Sequence, residues 1–429
     1  MTDETKTPFD QNAEPPLNKK AQDENLVGIR AEPAPEVVPQ EKYVYKKAIS
    51  LEGFICLFLF AAFLVGLSLV MGFSNALNTI FNTAYELLTD VVWYLLALIV
   101  LMGAVSGLLN EFGVISIANK AFSPLMKPIY GMPGATSIAI FTAFMSDNPS
   151  ILTLGADKNY ARYFKKYQLA ALTNIGTAFG MGLIVTVSVL SMNGPNGESY
   201  VLPVVISLFT LILVSILTTR LMIIKTKKVF GTEAEAVLQG KQKDGLDVLR
   251  YRQARQGSVF FRIYSSMLDG GASGVKIGLG IIPGVLIIAT MVLILTNGKP
   301  ASGVYTGAAG EGVGLIPLIG GWLMPVLKPL FGFTSPEAIA VPLTALGSAG
   351  AAISIIPDMV QSGLLTPGNV AVITSMCMFW SGYLSTHVSM MDTLNFRELT
   401  GWSILFHTIG GIAAGILSNL LYGLVSLLL

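Results

Sequence analysis

Seven apolar runs, each long enough to cross a bilayer, constrain this chain more than any other feature: Leu51 to Met71, Val91 to Leu109, Tyr167 to Leu190, Tyr200 to Ile223, Gly274 to Leu295, Asn369 to Met390 and Trp402 to Leu428. About 20 mainly apolar residues in a helix cover the ~30 Å of hydrocarbon. Lipid offers backbone groups no partners, so such runs must bond internally as helices. The expected fold class is therefore all-α, a polytopic membrane protein with about seven transmembrane helices. Only 12% of the 429 residues are charged and 52% are hydrophobic, where soluble chains carry about 25% charged residues. The net charge of +1 supplies no basic surplus for a nucleic-acid partner. Cys56 and Cys377 sit in apolar runs without Cys or His at metal-ligand spacing. They read as packing residues.

Two further apolar regions, Gly134 to Leu154 and Pro336 to Ile356, are interrupted by Ser146-Asp147-Asn148-Pro149-Ser150 and Gly347-Ser348-Ala349-Gly350. Arms of about 10 to 12 residues reach only ~15 to 18 Å, half the hydrocarbon. Both regions are expected to be re-entrant helical hairpins whose tips are enclosed by protein or water.

Charge placement orients the chain, because short cytoplasmic connections are rich in Lys and Arg. Lys42, Lys46 and Lys47 precede the first run, placing the amino terminus inside. Lys158, Arg162, Lys165, Lys166, Lys225, Lys227, Lys228, Arg250, Arg252, Arg255, Arg262 and Arg397 then also fall inside, with Lys299 and Lys328 outside. The carboxyl terminus is expected outside. The first 41 residues are polar, contain no apolar run and look like a disordered cytoplasmic tail without a signal peptide.

The chain also repeats itself. Pro124-Leu125-Met126-Lys127-Pro128-Ile129-Tyr130-Gly131 recurs as Pro325-Val326-Leu327-Lys328-Pro329-Leu330-Phe331-Gly332, an offset of 325 minus 124, or 201. That offset places the break at Ser146 to Pro149 on Gly347 to Gly350, Ala170 on Ala371 and Thr173 on Thr374. Each unit comprises a span, an interfacial segment, a hairpin and two spans. Three crossings are an odd number, so the second copy is expected upside down. Inverted repeats with paired discontinuous elements are the architecture of secondary transporters, with the solute near the midplane.

These residues, together with Leu172-Thr173-Asn174-Ile175-Gly176-Thr177 and Ile373-Thr374-Ser375, resemble the nucleoside-recognition, or Gate, domain family, and the whole chain its YjiH-type branch. The layout is similar to that of concentrative nucleoside transporters. That resemblance implies two hairpins and two broken helices around solute and a sodium ion, and a homo-oligomer. Where those transporters carry a Gln-Thr-Glu type of cluster, this chain has Ser146-Asp147-Asn148, which leaves the solute open between nucleoside-like and amino-acid-like compounds.

A carboxylate at membrane depth costs roughly 2.5 to 3.5 kcal/mol on insertion scales and normally faces a cavity or partner. Asp147 is therefore a candidate for a coupling cation or a substrate ammonium group, the alternative being a helix cap. Candidate solute-binding residues are Asp147, Asn148, Asn174, Ser348, Ser375 and Ser381. Ser146, Asp147, Thr173 and Thr177 offer the oxygen ligands that a sodium ion takes. The alternative for these hydroxyls and amides, and for Thr374, is interhelical hydrogen bonding. His387 and His407 read as packed, hydrogen-bonded residues in preference to a proton relay.

No Ser-His-Asp, Cys-His or HExxH arrangement has supporting context, so no enzyme and no cofactor is expected beyond Na+ or H+ coupling. The expected division is tail 1-41, first helix and external loop 42-90, repeat one 91-224, a cytoplasmic loop with an interfacial helix 225-270, and repeat two 271-429. The expected function is secondary active transport of a small polar organic solute across the bacterial cytoplasmic membrane. The alternative is a non-transporting gate or scaffold module acting with a partner protein.

Overall fold

The computed structural model describes residues 46–146, 150–156, 158–236, 252 and 254–428, all within the compact unit Glu41–Leu429. Asp147, Asn148, the polar tail and residues 237–251 of the expected cytoplasmic loop lie outside the described residues. Helices and turns account for the described chain, with one isolated β-bridge between Lys165 and Glu235.

Helix α1, Leu51–Met71, is apolar on every face and leaves Phe54, Leu57 and Phe58 exposed, as a lipid-facing helix must. Gly72, at φ 81°, ends it. Helix α2, Phe73–Glu86, then continues through a π-helical turn, Leu87–Val92, into α3, Trp93–Glu111. Residues 73–90 thus form a helix where an external loop was expected. No Gly or Pro interrupts the chain from Phe73 to Met102. Its polar residues meet a distant connection: Asn75 Nδ2 donates to the Tyr305 carbonyl at 3.0 Å and Asn82 Nδ2 to that of Gly307 at 2.8 Å.

Helix α4, Val114–Tyr130, carries the first Pro-Lys-Pro motif. Two short arms follow, α5 at Thr136–Met145 and α6 at Ser150–Ala156, then the single turn α7 at Lys158–Ala161. The apolar run from Tyr167 to Leu190 is two helices, α8 at Lys166–Ala178 and α9 at Gly182–Leu190. Helix α10 spans Val201–Phe230.

Helix α11, Val259–Pro283, is capped by Ser258, whose hydroxyl accepts from the Phe261 N–H. It runs on through a π-helical turn, Gly284–Ala289, into α12, Thr290–Thr296. Helix α13, Leu315–Phe331, carries the second Pro-Lys-Pro motif, and the chain then bends by 76° into a 3₁₀ turn and α14, Ala340–Gly347. Helix α15, Ala349–Gln361, packs back on α14. The expected span from Asn369 to Met390 is likewise divided, into α16 at Pro367–Trp380 and α17 at Tyr383–Thr393. Helix α18, Thr400–Ser426, completes the chain. Six helical stretches among the described residues are long and apolar enough to cross a membrane, and the bent α13–α14 pair brings the number to seven. The chain is a multi-pass, all-helical membrane protein.

The repeat extends from sequence into backbone and side-chain geometry. Gly113 and Gly314 (314 minus 113, or 201) open α4 and α13 at φ 78° and 63°, and Gly131 and Gly332 close them at 73° and 67°. Gln168 Nε2 donates to the Gly131 carbonyl at 3.1 Å, and Asn369 Nδ2, again 201 positions on, donates to that of Gly332 at 2.8 Å. Two backbones sharing these torsions and bonds at one offset are copies of one design.

Outside the spans, Glu311 fastens the 297–314 connection. Its carboxylate is 4% exposed and accepts from the Thr306 N–H at 2.9 Å, the Thr306 hydroxyl at 2.7 Å and the Gly307 N–H at 3.0 Å. Burial pushes the carboxyl up, but the bonds from Thr306 and Gly307 more than offset this and hold it below its ordinary value. The folded value lies below the unfolded one, so the stabilisation is complete above about pH 4.3, the free glutamate value, and is lost as pH falls through the folded value. Glu311→Gln should remove charge-assisted bonds of about 1.5–3 kcal/mol each and speed hydrogen exchange of the 305–312 amides at neutral pH, as acid does in the wild type. Unchanged protection in the variant would refute the role.

Candidate active centre: paired hairpins and broken helices

The two short-arm hairpins each bridge both copies. Arm α5 packs on α8 and α9 while α6 reaches α17; in the same way α14 packs on α16 and α17 while α15 reaches α9. The second tip therefore meets the second break, and on the first side Phe144, near the end of α5, lies against Gly182 at the first break. Met181 marks the first break at φ 56° and Gly382, 201 positions later, the second at φ 64°. A left-handed non-glycine residue costs roughly 1–2 kcal/mol, which surrounding packing must offset at Met181. Gly382 is required for a second reason: a Cβ there would lie 3.1 Å from the Gly347 carbonyl oxygen. Its N–H donates to the Ala345 carbonyl at 3.0 Å, tying the second break to the second tip.

Half-helix ends at such breaks carry unpaired backbone groups and partial charges, which suit them to bind polar solutes and ions. Ser146 closes α5 at the first tip, its hydroxyl donating to the Thr142 carbonyl at 2.7 Å. Ser348 forms the whole second tip and caps α15, accepting from the Ala351 N–H at 3.2 Å. Ser381 sits at the second break, 5% exposed.

The remaining candidates lie one or more turns away and are committed to helix packing. Asn174 uses both ends of its amide on α18: Nδ2 donates to the Ser403 carbonyl at 3.0 Å, and the Ser403 hydroxyl donates to Oδ1 at 2.7 Å. Thr173 and Thr177 donate to carbonyls of their own helix, Ala170 and Thr173, each at 3.0 Å. Ser375 donates to Val372 at 2.8 Å and Ala414 at 3.3 Å. Thr374 Oγ1 is buried with no partner among the described residues. Ser348 and Ser381 thus lie at the second tip and second break and Ser146 at the end of α5, whereas Asn174 and Ser375 face the α18 interface.

A cavity of about 180 Å³ opens elsewhere, between the start of α3, the end of α9 and α15. Tyr94, Ser188, Ser191, Ile353 and Gln361 line it, and Ser188 Oγ is buried there without a partner among the described residues. No solute-binding or sodium candidate lines it. Its polar residues come from three elements far apart in sequence, and each alone is an ordinary membrane-helix serine or tyrosine.

Pairing of the two histidines was also missed. His387 and His407, on α17 and α18, bring their ring centroids within 4.7 Å. Each makes the hydrogen bond expected of a packed histidine, but each also leaves one nitrogen without a partner among the described residues. Nothing in their separation of 20 positions, 407 minus 387, announces the contact.

Residues 92–195 match the family model described as Gate, nucleoside recognition, a stretch nearly coincident with the first copy up to the end of α9. Among solved structures, CNTnw in an inward-facing substrate-bound state superposes with a TM-score of 0.50 at 13% identity, covering 87% of this chain and 85% of that one. A substituted CNTnw in an outward-facing state gives a TM-score of 0.46 at 13% identity over the same shares. No curated protein matches the chain in sequence. Residues 92–195 are thus similar to the nucleoside-recognition Gate family, and the chain has the fold of the concentrative nucleoside transporter CNTnw.

Proposed function

We propose that this protein is a secondary active transporter of a small polar organic solute, nucleoside-like or amino-acid-like, coupled to sodium or protons. The observation that carries the reading is a short-armed hairpin packed against a broken helix, with the breaks at one offset in both halves and the second tip bonded to its break. Two such units, the second inverted by its odd number of crossings, can exchange conformations and open one central site to each side in turn. Fold kinship with a transporter supports this, and the nucleoside-recognition match to the first copy favours a nucleoside-like solute.

In this reading the hairpins are re-entrant and the solute lies between their tips and the two breaks. Ser146, Ser348 and Ser381, with Asp147 and Asn148 of the tip segment, contact it. Asn174 and Ser375 become available only if α18 shifts. A sodium ion would draw on Ser146, Asp147, Thr173 and Thr177. The amino terminus faces the cytoplasm of a bacterial cell, and the two copies occupy 91–224 and 271–429.

Counterflow in proteoliposomes tests the proposal. Labelled uridine, adenosine, leucine and a dipeptide should be compared with and without a sodium gradient, and at least one is expected to exchange more than fivefold above empty liposomes. Folded, monodisperse protein that exchanges none of them would favour the scaffold alternative.

A further inference from the structure

The histidine pair carries an inference that the solute site does not. His387 Nδ1 lies 2.9 Å from the Tyr383 carbonyl and His407 Nε2 lies 2.5 Å from the Phe379 carbonyl. A carbonyl only accepts, so both of these nitrogens carry hydrogen. In a neutral imidazole the other nitrogen is then a bare lone pair. His387 Nε2 and His407 Nδ1 are both fully buried with no partner among the described residues. Two buried acceptors, on rings 4.7 Å apart, have no donor between them. Leaving such groups unsatisfied costs about 1–3 kcal/mol each, and a proton added to either ring turns one of the two lone pairs into a donor beside the other ring.

From this arrangement the geometry points to a proton-binding site formed by His387 and His407 together, one proton per chain. The faces around it suit a delocalised cation. Phe379 stacks on His407 at 4.4 Å, and Tyr383 meets His387 edge-on at 5.9 Å and His407 at 5.2 Å; aromatic faces attract cations.

Other ionisable groups on the packed elements sit apart. On α17 itself, Tyr383 holds Thr408 at 2.7 Å, and Asp392 is half-exposed beside Arg397 of the following turn, which also carries Glu398. Helix α16 contributes only Cys377, and α6 and α14 contribute none. On α8, Lys166 lies over Phe230 and Tyr167 under Lys227. On α10, Arg220 binds the carbonyls of α4, Lys225 lies over Trp402 and Lys228 is exposed. Lys328 of α13 and Tyr422 of α18 lie in the last turns of their helices. No described carboxylate is placed to neutralise the pair, so burial opposes the added charge and only the two carbonyls and the aromatic faces offset that cost.

The site is built into the second break. Phe379 belongs to the last turn of α16 and Tyr383 opens α17, so the two carbonyls holding the rings flank Ser381 and Gly382. Protonation makes both N–H···O=C bonds charge-assisted and stronger, clamping the break whose Gly382 N–H holds the second tip. On the transport reading, that clamp couples proton occupancy to the position of the tip.

The chain has two histidines in all, so imidazole ¹⁵N labelling of the full chain in nanodiscs, purified through a histidine-free tag, reports these two rings alone. At neutral pH the spectrum should show His387 as the Nδ1–H and His407 as the Nε2–H tautomer. On acidification both rings should change together with uptake of one proton. His387→Asn and His407→Gln each preserve the bond to the carbonyl while removing the basic nitrogen. In either variant the remaining histidine should bind its proton at least tenfold more weakly. Two independent titrations, or rings that stay neutral until the fold is lost, as with a bridging water, would overturn the site. The outcomes separate: a solute panel without counterflow removes the transport reading and leaves the proton site, whereas independent titration removes the proton site and leaves the transport reading.

Discussion

Leucine in place of Gly270 is expected to abolish the folded, monodisperse protein. Helices α3 and α11 cross through Gly103, Gly107, Gly270 and Gly274 with their backbones in contact. A Cβ on Gly270 would lie 2.3 Å from the Gly103 carbonyl oxygen and one on Gly103 would lie 2.4 Å from that of Gly270. Backbone cannot rotate aside as a side chain can, so relief requires parting two helices each nearly 40 residues long with their continuations, 39 and 38. Overpacking by a methylene or two costs about 1–3 kcal/mol, and a leucine at a backbone crossing should exceed that range. Gly280 of the same helix has nothing within 4 Å, so Gly280→Leu controls for helix propensity. The pair is compared by size-exclusion chromatography after graded heating. If both variants melt together, the close crossing does not hold these helices.

Glu111→Gln should lower stability almost as far. Glu111 ends α3 with its side chain 2% exposed and receives Arg255 Nη1 and Arg262 Nε, each at 2.7 Å, and the Arg255 N–H at 3.1 Å. Arg252 also donates to the Glu111 carbonyl. This one carboxylate gathers the segment leading into α11 onto the end of α3. Removing one partner of a buried ion pair leaves an uncompensated charge and costs about 3–5 kcal/mol. Arg255 keeps Asp269 at 2.7 Å, so the loss should be greatest at Arg262. Thermal unfolding in detergent should show the large shift for Glu111→Gln and a smaller one for Glu111→Leu combined with Arg262→Met, which removes both charges. Equal shifts would mean that packing, not charge, dominates the junction.

Much of the fold was legible because its causes are local. The apolar run from Leu51 to Met71 crosses a membrane whatever surrounds it, and the two Pro-Lys-Pro motifs specify two similar amphipathic helices at one offset. Other features were misread for equally physical reasons. The stretch expected as an external loop is helical because a distant connection supplies carbonyls for Asn75 and Asn82. The runs at 167–190 and 369–390 look continuous because a break at Met181 or Gly382 costs little apolar length.

Residue types set the class of molecule: transfer free energy is a sum over neighbouring side chains, so apolar spans, short interrupted arms and their recurrence at one offset follow from composition and order alone. Partnership was decided in three dimensions. Asn174 meets Ser403 across 229 positions, and His387 meets His407 through the crossing of two helices. Whether a buried amide or imidazole binds a ligand, a neighbour or a proton depends on which lone pairs and hydrogens packing leaves unmatched, and only the assembled bundle determines that.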